Sequence, residues 1–218
     1  MNKFFGLLVV AFAVFALFLF IGGDSNAQKT SLTLGSDLMD EKPEGYPAAI
    51  FAGGCFWCME SEFRALEGVL FTRAGYMGGT LKDPAYGDVT TGQTGHAEVI
   101  EVTFDPDKTT YEALVEFFLT RAHDPTQLNR QGVDVGTQYR SAIFPADEEQ
   151  ERIAKEVIAR VEESKIYDKP IVTVVEPMGT FWEAEEYHQQ YYEKYEEKTG
   201  KPHLRVLLKK SKDELNGL

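Results

Sequence analysis

Ala48-Ala49-Ile50-Phe51-Ala52-Gly53-Gly54-Cys55-Phe56-Trp57-Cys58 joins a short apolar run to a helical pattern through two glycines. The run Ala48 to Ala52 predicts a buried strand, and Gly53-Gly54 ends it. From Phe56, the spacing of Phe56, Met59, Phe63 and Leu66 marks one face of a helix reaching Gly68. The first unit is therefore strand, tight glycine turn, helix, and similar units follow. Val69 to Tyr76 reads as a second strand, and Met77 to Gly95, with five glycines, reads as a binding loop. His96 to Phe104 alternates, with Glu98, Ile100, Val102 and Phe104 on one face and Ala97, Val99, Glu101 and Thr103 on the other.

After Asp105-Pro106-Asp107, a helical pattern begins at Thr110 and buries Tyr111, Leu114, Val115, Phe118, Leu119 and Ala122, until Asp124-Pro125 stops it. Thr126 to Gly136 is a polar loop and Ser141 to Phe144 a strand. Asp147 is placed to cap a helix from Glu148 to Ser164, with Ile153, Val157, Ile158 and Val161 along its inner stripe. Ile171 to Val175 reads as the last strand. A final helix is expected over Trp182 to Glu197, with Tyr187, Tyr191 and Tyr195 on one stripe. Strands interspersed with helices in this way predict an α/β or α+β domain whose helices pack against one sheet.

Composition bounds the rest. The chain has 218 residues, 22 Lys+Arg against 35 Asp+Glu, a net charge of -13 and two cysteines. One sizeable domain with appendages fits that length. The acidic balance, with no basic cluster, argues against nucleic acid, whose phosphates demand concentrated positive charge. Residues 4–21 carry no charge and follow Lys3, and Ser25-Asn26-Ala27 offers small residues before a cut. Residues 1–27 therefore read as a signal peptide cleaved near Ala27, with an uncleaved membrane anchor through 4–21 as the alternative. An exported protein, periplasmic or otherwise extracytoplasmic, is expected. Residues 28–46 read as a linker, 47–200 as the catalytic domain and 201–218 as a solvated tail.

Both cysteines lie in Cys55-Phe56-Trp57-Cys58. A disulfide between them would close almost no loop, so chemistry is a better use than stapling. At a helix start, backbone N–H groups and the helix dipole are expected to lower the Cys55 pKa from about 8.5 toward neutrality. Cys58, one turn on, is placed to attack an oxidised Cys55. Glu98 shares a strand face with Ile100, Val102 and Phe104. It is either an end-of-strand residue reaching solvent or a buried carboxyl that keeps its proton and serves as a general acid. Asp134 and Tyr139 lie where a polar loop feeds a strand, and Tyr86 lies in Pro84-Ala85-Tyr86-Gly87. Each is a pocket candidate or an ordinary loop residue.

Gly54-Cys55-Phe56-Trp57-Cys58, Thr94-Gly95-His96-Ala97-Glu98, His123-Asp124-Pro125-Thr126 and Gly136-Thr137-Gln138-Tyr139-Arg140-Ser141 occur in that order, followed by Phe181 to Gln189. Together they resemble the A-type peptide methionine sulfoxide reductases over about residues 47–200. The resemblance implies a two-layer α+β sandwich with a ferredoxin-like core. It implies reduction of the S epimer of methionine sulfoxide, with Cys55 as nucleophile and Glu98 as acid. Tyr86 and Tyr139 would stabilise the sulfoxide oxygen, while Phe56, Trp57, Asp134 and His188 would form the substrate site. No metal or bound cofactor is implied, and a monomer is expected.

Many relatives resolve the Cys55 sulfenic acid with a cysteine in the C-terminal tail, and this tail has none. Cys58 is then the expected resolving thiol, with thioredoxin or a thioredoxin-like donor as partner. Two other readings use parts of the same pattern. A general thiol-disulfide oxidoreductase would use the Cys pair without needing Glu98, and a noncatalytic binder or chaperone of methionine-rich substrates would need neither cysteine.

Overall fold

The computed structural model describes residues 38–203. The apolar run of residues 4–21 and most of the tail lie outside them, and no helix among the described residues is long and apolar enough to cross a membrane. In chain order the elements are β1 (Ala48–Gly53), α1 (Phe56–Arg64), β2 (Val69–Met77), the single helical turn α2 (Tyr86–Val89) and β3 (Ala97–Phe104). Then come α3 (Tyr111–Phe117), continued by a π-helical turn over Phe118–Ala122, β4 (Arg130–Gln131), β5 (Asp134–Val135) and a 3-10 turn at Thr137–Tyr139. The chain closes with β6 (Ser141–Phe144), α4 (Glu148–Ser164), β7 (Val174–Val175), β8 (Trp182–Glu183), a 3-10 turn at Glu186–His188 and α5 (Tyr191–Thr199).

The main sheet runs β7-β6-β1-β3-β2-β8, with β4 and β5 forming a separate small hairpin. Its central four strands, β6-β1-β3-β2, are antiparallel to one another, and β7 adds to β6 in parallel. They are joined through α1 and α3 in the split β-α-β arrangement of a ferredoxin-like core. The fold is thus an α+β sandwich. Ala49, Phe51, Ile100, Val102 and Phe104 share one core with residues of α1, α3 and α4. Ile50, Ala52, Met77, Ala97, Val99, Ala142 and Phe144 form a second core on the other face, against which Phe181 packs. The strand alternation read in β3 therefore holds, but both faces are covered. Glu101, on the face opposite Glu98, is buried and held by Arg73 at 2.8 Å and Lys42 at 2.7 Å.

Several elements differ from the sequence reading. α1 ends at Arg64, short of Gly68. Only Val174 and Val175 of the expected strand 171–175 join the sheet; the N–H groups of Ile171 and Val172 donate instead to Glu162 and to the Pro125 carbonyl. The helix expected over 182–197 is replaced by β8, a 3-10 turn and the shorter α5. Trp182 and Glu183 pair with Tyr76 and Gly75. Gln189 then satisfies the next backbone groups of β2, accepting from Ala74 N and donating to Ala74 O, and Gln190 turns left-handed at φ 51° before α5 begins. Nor is the end of the 28–46 segment a free linker: Leu38 packs on the core and Met39 N–H donates to Leu70 O at 2.7 Å.

The turn that delivers Cys55 requires glycine. Gly54 has φ +98°, and a Cβ there would stand 2.5 Å from Cβ of Gln131, a side chain whose amide is tied to the backbone of Asp124 on both sides. Gly54→Ala is expected to cost roughly 1–3 kcal/mol, from the left-handed backbone and the clash together. Denaturant unfolding of the variant checks it; a loss below about 0.5 kcal/mol would mean that the turn relaxes freely.

Candidate active site

Cys55 occupies the N-cap position of α1, so the first N–H groups of that helix lack intrahelical acceptors. One of them is taken by a strand of the sheet beneath the helix: Phe56 N–H donates to Glu98 Oε2 at 2.9 Å. Glu98 is 2% exposed, which rules out the reading of it as a solvent-reaching strand end. Burial drives its pKa up to about 8, against the opposing pull of the Phe56 N–H, and the charges of Asp134 and Cys58 add to the rise. At neutral pH the carboxyl is therefore mostly protonated.

The expectation for Cys55 is corrected as well. Its pKa is raised, not lowered. A hydrogen bond shared with Cys58 is the largest cause, followed by burial and by the negative charges that Cys58 and Glu98 can carry. Both cysteines are free thiols in this structure. The resting nucleophile is thus a thiol, even though the Cys58 backbone N–H at the helix start still pulls its pKa down.

Cys55, Phe56, Trp57, Tyr86, Glu98, Asp134 and Tyr139 line one cavity of about 280 Å³. The seven residues come from α1, α2, β3, β5 and the turn at 137–139, and all seven had been singled out in the sequence. Tyr86 and Tyr139 have pKa values raised, by burial first and then by Glu98, so both hydroxyls keep their protons as donors. Phe56 and Trp57 supply the apolar side. Asp134 lies on the rim, on the hairpin strand β5.

His188 stands behind this wall instead of on it. It is 1% exposed, and its Nδ1 accepts from Trp57 Nε1 at 3.0 Å, which leaves the proton on Nε2. Its ring packs 4.9 Å from Phe56 and 4.4 Å from Tyr86, and burial keeps it neutral by lowering its pKa. It orients the aromatic wall. Glu185 does the same for Tyr86: its two carboxylate oxygens accept from Tyr86 N–H and Tyr76 Oη, each at 2.9 Å. His123, half-buried beside Gly53, is likewise neutral, its pKa lowered by desolvation to about 4, with its ring nitrogens against Phe118 O and Ser141 Oγ.

Cys58 does not line the substrate cavity. It opens, together with Cys55, Gln131, Val133 and Asp134, on an adjoining cavity of about 240 Å³. Two residues of the first cavity have no counterpart in the sequence reading, Tyr192 and His203. The tyrosine stripe at steps of four passed over Tyr192, and His203 belongs to the segment read as a solvated tail. Instead, its ring stacks on Tyr192 at 4.5 Å.

A cysteine at a helix start, a buried protonated carboxyl beside it and two tyrosines in the same aromatic-lined cavity define a thiol-dependent oxidoreductase on a ferredoxin-like scaffold. The family model described as peptide methionine sulfoxide reductase matches residues 47–216. The peptide methionine sulfoxide reductase MsrA of Methanothermobacter thermautotrophicus is 59% identical over 149 residues, covering 68% of this chain and 88% of the relative. That of Deinococcus radiodurans is 54% identical over 144 residues, 66% of this chain and 69% of the relative. Among solved structures, the reduced form of Mxr1 from Saccharomyces cerevisiae superposes with a TM-score of 0.66 at 32% identity, covering 71% of this chain and 88% of that one. Methionine sulfoxide reductase A of Corynebacterium diphtheriae gives 0.60 at 34% identity, covering 70% and 76%. The chain belongs to the peptide methionine sulfoxide reductase family and is an enzyme that returns methionine sulfoxide to methionine.

Proposed function

We propose that the protein reduces the S epimer of methionine sulfoxide, free or within oxidised proteins, and that thioredoxin or a thioredoxin-like donor restores it. The reading rests on one observation above others: a protonated carboxyl, Glu98, fixed on the N–H of the residue that follows the nucleophile. Sulfoxide oxygen placed against Glu98, Tyr86 and Tyr139 receives a proton and hydrogen bonds. The sulfur gains positive character, which favours loss of the Cys55 proton to the vacated Glu98 carboxylate as Cys55 sulfur attacks. Oxygen passes to Cys55, methionine leaves as the thioether, and Cys55 ends as a sulfenic acid with Glu98 again protonated. Because oxygen, methyl and main chain must meet the acid, the Phe56–Trp57 wall and the rim at Asp134 respectively, one hand at sulfur fits. Dabsyl-methionine S-sulfoxide should be consumed and the R epimer left; equal rates, or insulin reduction in preference to either, would refute this reading.

Cys58 completes the cycle by attacking the sulfenic sulfur, forming the Cys55–Cys58 disulfide and releasing water. Without reductant, wild type and Cys58→Ser should each release close to one methionine per enzyme, and wild type alone should end two hydrogens lighter by mass spectrometry. Thioredoxin-driven steady-state turnover should fall at least about 10-fold in the variant and recover with excess small dithiol. Undiminished turnover would mean that the donor attacks Cys55 itself. The catalytic domain is assigned to residues 47–200, carried outside the cytoplasm by the apolar N-terminal segment. N-terminal sequencing of the mature protein from fractionated cells tests the placement.

A further inference from the structure

Tyr192 Oη lies 3.1 Å from Cys58 Sγ. The tyrosine is 6% exposed, and it lines the cavity that holds Cys55. Its position is set by ties between the two helices that carry the pair. Gln190 N–H, at the entry to α5, donates to Glu60 Oε2 at 2.6 Å, and Arg64 Nε donates to Glu193 Oε1 at 2.8 Å. Glu60 and Arg64 belong to α1, as Cys58 does. Beside them, Tyr191 stacks on Trp57 with ring centroids 3.8 Å apart. The contact between hydroxyl and sulfur is therefore anchored on both sides and does not depend on an exposed side chain settling by chance.

We propose that Tyr192 is a catalytic residue of the recycling step, its hydroxyl donating a hydrogen bond to the Cys58 sulfur as that sulfur loses its proton and attacks Cys55. The proposal rests on the reading of Cys58 as the resolving thiol. In the step, the Cys58 S–H bond breaks and the Cys55–Cys58 bond forms. The hydroxyl of the Cys55 sulfenic acid departs with that proton as water, so Cys58 is oxidised and the sulfenic sulfur reduced. Tyr192 keeps its own proton throughout. Its contribution is to hold negative charge on sulfur, where a hydrogen bond from a buried hydroxyl favours the charged form. The first half-reaction has other donors, Glu98, Tyr86 and Tyr139, and should not need it.

Tyr192→Phe keeps the ring and its stacking and removes only the hydroxyl. In single-turnover experiments without reductant, disulfide formation, followed by mass and by trapping of the sulfenic acid with a cyclic 1,3-dione, should slow at least about 10-fold more than methionine release does. Disulfide formation at the wild-type rate would overturn the proposal. So would loss of the methionine burst in the variant, since the residue would then serve the first step or the fold. Wild-type enzyme that forms no disulfide would instead overturn the resolving role of Cys58, and the proposal with it; that outcome is visible before any variant is made.

Discussion

Cys55→Ser is expected to lower sulfoxide reduction at least about 1000-fold, to the limit of detection. Serine is nearly isosteric, and Cys55 makes no side-chain cap to α1 that the change would remove, so the fold should persist. What disappears is the chemistry. An alcohol is a far weaker nucleophile toward sulfur than a thiol, its pKa lies beyond the reach of any group in the cavity, and it has no counterpart of the sulfenic state. The raised Cys55 pKa adds to this: in the proposed mechanism the nucleophile is activated by protonation of the substrate, and the oxygen analogue starts even further from its reactive form. Methionine release in a single-turnover assay, with thermal unfolding as the control for folding, checks the result. A variant retaining a tenth of wild-type turnover would remove Cys55 from the role of nucleophile.

What could be read from the sequence was mostly local. The strand at Ala48, the glycine turn and the helix at Phe56 are fixed by neighbours in the chain, and α4 begins after Asp147 because the aspartate side chain accepts from Gln150 N. The alternation in β3 placed Glu98 on the apolar face, and the register of Tyr76 opposite Glu98 keeps it there. Its partner, Phe56 N–H, lies 42 residues away, so the sequence could not show that the carboxyl would take the helix N–H expected to serve Cys55. The C-terminal segment departs from its helical spacing for a related reason. Tyr187, Tyr191 and Tyr195 have helical spacing, but the chain from Trp182 to Gln189 is committed to completing the edge of β2. Tyr192 and His203 reach the site only because α5 is tied to α1, a contact that no periodicity encodes.

Glu98→Gln should preserve that local arrangement while removing the proton. Its amide oxygen can still accept from Phe56 N–H and its size is unchanged, so stability should hold or rise, since the wild-type carboxyl resists ionisation where it lies. Raised from 4.5 to about 8, the group favours the folded state fully below the unfolded value, and that contribution is lost as pH climbs through 8. The reduction step should slow by roughly 10- to 1000-fold at pH 7, the range for loss of a positioned acid with its electrostatic help. The pH profile carries the stronger test. If Glu98 must hold a proton when substrate binds, the wild-type single-turnover rate falls as pH rises through about 8, approaching tenfold per pH unit beyond it. Glutamine has nothing to lose there, so the variant should be slow and lack that decline. Bound sulfoxide places a strong acceptor beside the carboxyl and can move the inflection, but the inflection must still vanish with the carboxyl. A variant matching wild type at neutral pH, or one that kept the same decline, would leave Glu98 as a cap for α1 and assign the proton to Tyr86 or Tyr139.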